Sequence, residues 1–130
     1  MIIKSSPFSL ENLGNGSFRL HVLPPLAQMA PVFGMVTDDV NNDGNLDIVM
    51  TGNDYGSEVT NGRLDAFNGL VLVGDGKGNF KALVPTDTGF LQEGDVRDIK
   101  VIRTPKNRLY FVTRNNDKIQ IFKKILPEAI

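Results

Sequence analysis

The residues best placed to do chemistry stand in one short stretch, "TDDVNNDGNLDIVMTG", from Thr37 to Gly52. Counted from Asp39, positions 1, 3, 5 and 9 are Asp39, Asn41, Asp43 and Asp47, with Asn45 at position 7 and Gly44 at position 6. Ca2+ takes six to eight oxygens at about 2.3–2.6 Å, and alternate short side chains in a tight loop supply them. Gly44 permits the sharp turn, and the backbone carbonyl of Asn45 would complete the inner set. Three carboxylates this close repel one another unless a cation lies between them. An EF-hand is excluded, because position 12 holds Met50 where a bidentate Glu is required, and the flanks read as strands. Mg2+ suits the loop less well, since it keeps its waters and demands octahedral geometry. With no cysteine and one histidine there is no soft site for zinc or copper. The expectation is a structural Ca2+ held by Asp39, Asn41, Asp43, Asn45 and Asp47. The bland alternative is a solvated Asn/Asp/Gly turn.

A second stretch, "DYGSEVTNGRLDAF" (54–67), is longer than a hairpin needs, and long ordered loops often carry function. Asp54, Tyr55, Glu58, Arg63 and Asp65 offer an aromatic platform, a charged fork and carboxylates suited to a glycan or a protein partner. The competing reading is an Arg63–Asp65 network that only packs the loop. No rigid element fixes the spacing of these carboxylates, as a paired-carboxylate hydrolase would need. "GDGKGNF" has the spacing of a phosphate loop, but a strand follows it, so it reads as a hairpin turn. His21 lies in a strand with no nucleophile patterned beside it.

Nine short strands must position these loops: 8–13, 18–24, 30–40, 46–53, 68–75, 80–85, 96–104, 108–115 and 118–125. Runs rich in Val, Ile, Leu and Phe alternate with glycine-rich punctuation, and no segment keeps a 3.6-residue apolar period. "GNGSFRLHVLP" from Gly14 resembles "GKGNFKALVP" from Gly76, an offset of 62, and "LDIVMTGN" from Leu46 resembles "LYFVTRNN" from Leu109, an offset of 63. A repeat of about four strands follows. Strands such as "LVLV" (70–73) read as covered on both faces, as in stacked sheets. The fold expected is all-β, with antiparallel four-stranded propeller-like blades: one complete blade (30–86) flanked by two partial ones (7–25 and 95–125), within a single β domain, 1–130. Propellers typically close with four to eight blades, so this length does not close a ring alone.

The stretch "DDVNNDGNLDIV" resembles the Asp-x-Asp-x-Asp-Gly-x-x-Asp calcium loop of FG-GAP and VCBS repeats, the blades of integrin-α-type propellers and of many bacterial surface proteins. Asn41 stands where that pattern has Asp. The wider pattern "ENLGNGSF…LP…APVFG…NNDGNLD…GN…GR.D…GDG.G.F" is similar to the C-terminal repeats of ASPIC/UnbV-type VCBS proteins of Bacteroidetes-like bacteria. The resemblance spans nearly the whole chain. It implies one structural calcium site, since "VIRTPKNRLY" replaces the acidic loop in the last repeat. It also implies part of a larger protein at an extracellular, cell-surface or periplasmic location.

Fourteen basic and fifteen acidic residues give a net charge of −1, which argues against nucleic acid as a partner. No apolar run reaches the length of a membrane span. The function expected is a calcium-stabilised binding or scaffold module. Its partners would be the remaining blades or a symmetry-related copy, with a protein or glycan ligand. The alternative is a polysaccharide-active hydrolase or lyase with its site in the 54–67 loop.

Overall fold

The computed structural model describes residues 8–28, 32–52, 69–92 and 94–125. Among them are nine strands: β1 (Phe8–Asn12), β2 (Phe18–Val22), β3 (Gly34–Asp38), β4 (Asp47–Thr51), β5 (Leu70–Gly74), β6 (Phe80–Leu83), β7 (Val96–Arg103), β8 (Arg108–Arg114) and β9 (Gln120–Lys123). All pair antiparallel, each with its neighbour in sequence, in sheets of two, four and three strands: β1-β2, β3-β4-β5-β6 and β7-β8-β9. The fold is therefore all-β with meander sheets. The described strands form an open stack, and they do not close into a ring.

Turn chemistry sets these boundaries. Asn12 Oδ1 accepts the Gly14 N–H (2.9 Å), and the Leu13 N–H closes onto the Ser17 carbonyl (3.0 Å). In the β5–β6 turn Asp75 Oδ1 accepts the Lys77 and Asn79 N–H groups, and the Asp75 N–H closes onto the Asn79 carbonyl (3.1 Å). Asx side chains bonding to nearby backbone, with glycines at positive φ, are standard turn devices. Here Gly14 and Gly76 have φ of 83° and 75°. The repeat extends to strand register. β1–β2 pairs Leu10 with Leu20 and Asn12 with Phe18; β5–β6 pairs Leu72 with Ala82 and Gly74 with Phe80. Each equivalent lies 62 residues on.

Two clusters form the core. One lies on the face of the four-stranded sheet that carries Met50, Leu70 and Leu72, and it is closed by Leu23 and Ala27 from the turn after β2. The other lies between the opposite face of that sheet, with Val49 and Val71, and the three-stranded sheet, with Val96, Ile99, Tyr110 and Val112. This sidedness corrects the second offset. At 63 residues Val49 would match Val112, yet these two face each other across the interface. At 62, Met50 matches Val112, and both look back toward the preceding unit. A one-residue slip turns a strand over, so only 62 makes the sheets stack in the same sense. The β7–β8 turn is then two residues shorter than the acidic loop it replaces.

Short turns fill the connections. Pro25–Gln28 is a 3-10 turn, and Pro85–Thr88 is a single α-helical turn where the sequence reads as loop. Proline at the first position pre-sets the helical φ and lacks only an N–H that would be unpaired there anyway.

The candidate metal loop and its buried carboxylates

The acidic loop connects β3 to β4, and each candidate ligand has a place in it. Asp39 clips the turn: Oδ1 accepts the Asp43 N–H (3.1 Å) and Oδ2 the Gly44 N–H (2.9 Å). Asn41 Oδ1 also accepts the Asp43 N–H (3.1 Å). Asp43 Oδ1 accepts the Asn45 N–H (2.8 Å) and Oδ2 the Asn41 amide (2.9 Å). The Asn45 N–H, and then the Asn41 amide, hold the Asp43 carboxyl below the usual carboxylate range. Asn42 and Gly44 take φ of 62° and 86°, which lets the loop fold back on itself. Asn45 turns its side chain toward Gly76 in the β5–β6 turn.

Asp47 differs from the rest. It is fully buried. Its Oδ2 accepts the Val40 N–H (2.8 Å) and its Oδ1 accepts the Gly74 N–H of β5 (2.9 Å). It therefore ties both ends of the loop to the sheet. The structure brings Asp39, Asn41 and Asp43 into one hydrogen-bonded set and places Asp47 on the sheet side of it. Among the described residues no three acidic or histidine side chains converge on one point. The donor set nevertheless consists of oxygen alone, and each carboxylate oxygen uses one of its two lone pairs on an N–H. That chemistry fits a hard cation such as Ca2+. The ligands would be Asp39, Asn41 and Asp43, with the Asn45 carbonyl and the remaining lone pairs of Asp47.

The loop has neighbours that the sequence does not reveal. Asp38, almost completely buried, accepts a hydrogen bond from the Tyr110 hydroxyl at 2.6 Å, across the interface between sheets. Arg103 and Arg108 each bring Nε to 3.5 Å from its Oδ1. Desolvation pushes the Asp38 carboxyl upward, but the Tyr110 bond and the two guanidinium groups outweigh it and hold the pKa below the ordinary value. Burial, reinforced by Asp38, pushes the Tyr110 phenol well above its usual range, so it stays a donor. Lys124, just after β9, donates to the Asp39 carbonyl and to Asn42 Oδ1. The loop is thus fastened to the last sheet as well as to its own.

A depressed carboxyl pKa contributes stability above the unfolded value near 4, and that stability is lost as pH falls through the folded value. Tyr110→Phe removes the strongest partner of Asp38. The expected cost at neutral pH is about 2 kcal/mol, as for a hydrogen bond to a charged group. The acid-unfolding midpoint should move to higher pH, read by circular dichroism. An unchanged midpoint would show that the arginines alone hold Asp38 charged.

Other sites fall out as follows. Asp54, Tyr55, Glu58, Arg63 and Asp65 lie outside the described residues. The His21 ring is hydrogen-bonded to Glu11 Oε2 (2.8 Å) and packs against Gly78, so it is an ordinary strand residue. Arg114 pairs with Asp117 (3.0 Å) in the β8–β9 turn. The "GDGKGNF" segment is a hairpin turn between β5 and β6. No described helix is long and apolar enough to cross a membrane. No family model, curated protein or solved structure matches this chain.

Proposed function

We propose that the chain is a calcium-clipped segment of a propeller-type repeat, acting as a binding or scaffold module in a secreted or surface protein. The repeat carries this reading. Two hairpins share one strand register at an offset of 62, and successive sheets stack in the same sense. Repeats of this kind bury a continuous core only by stacking on neighbours. The end faces are accordingly apolar and exposed: Phe8, Leu10, Phe18, Leu20 and Val22 on β1–β2, and Ile102 and Ile121 on the last sheet. The acidic loop is the place for the metal, which would clip β3 to β4 and hold the loop against Lys124 and the β5–β6 turn. No described residue favours a hydrolase.

At a hundredfold excess of Ca2+ over its Kd, the metal should add about 2.7 kcal/mol of stability. That corresponds to a rise in melting temperature of roughly 10 °C for a domain of this size. Calorimetric melts in chelator and in millimolar Ca2+ check this, with Asp43→Ala expected to abolish the difference. Identical melts in both buffers, with no heat of Ca2+ binding, would remove the metal from the reading and leave the repeat.

A further inference from the structure

The geometry points to a docking site for an extended strand along the free edge of β9. The four-stranded sheet sets the comparison. There β5 is flanked by β6, whose Phe80 and Ala82 pack into the core beside Leu23 and Ala27. In the last sheet β9 takes the place of β5: Ile48 pairs with Leu72, and Tyr110, its equivalent, pairs with Phe122. Among the described residues no strand takes the place of β6 there. The space beside β9 is an open cleft of about 400 Å³. Val73 and Leu83 of the middle sheet form one wall, Phe90 the floor, and Phe122 and Ile125 the other wall. The Phe90 and Phe122 rings stand edge-to-face at 4.7 Å. Phe90 lies in the connection after β6, as Leu23 and Ala27 lie in the connection after β2. The cleft is therefore the space that β6 fills one repeat earlier.

This equivalence identifies the occupant. It is an extended segment whose backbone pairs with β9 and whose alternate residues, an aromatic and an aliphatic side chain two positions apart, enter the cleft. Strand addition of this kind takes affinity from backbone hydrogen bonds and specificity from pockets for alternate side chains. A free sheet edge is the template for it. Lys123 and Lys124 at the end of β9 favour a segment carrying a carboxylate there. The inference rests on the repeat in the reading above and not on its metal.

The chain's own β6 sequence is the probe. A labelled, end-blocked peptide FKALVP, residues 80–85, should bind saturably by fluorescence anisotropy. Amide shifts in the labelled chain should cluster on β9, Leu83 and Phe90. Replacing the peptide's phenylalanine by serine should weaken binding at least tenfold. Leu83→Glu in the chain should do the same, whereas Ile121→Glu, on the opposite face of β9, should leave it unchanged. If Leu83→Glu fails to fold, the serine peptide and the shift map decide. Absence of saturation at millimolar peptide overturns the site, as do shifts confined to the β1–β2 face. A chain that is dimeric by light scattering, with β9 amides protected from exchange and unaffected by peptide, overturns it in favour of a second copy. A chelator-sensitive melt with no peptide binding would sink the docking site and leave the calcium clip standing.

Discussion

Leu72→Ala lowers the stability of the chain by about 3 kcal/mol, whereas Leu10→Ala changes it by less than about 0.5 kcal/mol. The two leucines are equivalents in the repeat. Each sits in the third strand of its unit, opposite Leu20 or Ala82, and both face the same way. Leu72 is 0% exposed and packs with Met50, Leu70, Leu23 and Ala27, so truncation opens a cavity in a closed cluster. Leu10 is 57% exposed, and the methyl groups removed there already meet water. The same pair of residues thus measures how far burial depends on the next unit being present. Urea denaturation gives both values, with a shared m-value confirming a common transition. A cost for Leu10→Ala approaching that of Leu72→Ala would mean that the β1–β2 face is covered in solution.

The sequence is most legible where turns punctuate it. Glycine and Asx clusters at 12–17, 41–45 and 75–79 mark hairpins, and the runs between them are the observed strands, trimmed by one to four residues where no partner strand continues. Antiparallel meanders place neighbours in sequence next to each other in space, so order followed from counting. Sidedness did not. "LDIVMTGN" and "LYFVTRNN" align almost as well at 63 as at 62, and only the packing of Val49 against Val112 separates the two. The Asp38 cluster was also hidden. In "TDD" the two acids look alike, but strand alternation turns Asp38 toward Tyr110, 72 positions away, and leaves Asp39 for the loop. Burial depends on neighbours that no local spacing encodes. The long loop with Tyr55 and Arg63 carries no such pattern either, which is why its residues could be named but not arranged.

Asp47→Ala is expected to cost about 3 kcal/mol even in chelator, where no metal contributes. A ligand-only role predicts otherwise: a carboxylate recruited for Ca2+ should be indifferent, or even a source of repulsion, once the metal is gone. The geometry opposes that view. Both Asp47 oxygens accept backbone N–H groups, from Val40 at 2.8 Å and from Gly74 at 2.9 Å, and the side chain has no access to water. Alanine would leave two donors without acceptors, at about 1–3 kcal/mol for a buried one and less for Val40, which lies nearer the surface. It would also release the end of β3 from β5. Asparagine keeps one acceptor and turns an amide N–H toward the other donor, so it should recover only part of the loss. Comparing urea midpoints of wild type, Asp47→Ala and Asp47→Asn in chelator separates the roles. A cost below about 1 kcal/mol for alanine, together with loss of the Ca2+ response, would make Asp47 a ligand first. The full cost in chelator would make it the post to which the loop is tied, with the cation held chiefly by Asp39, Asn41 and Asp43.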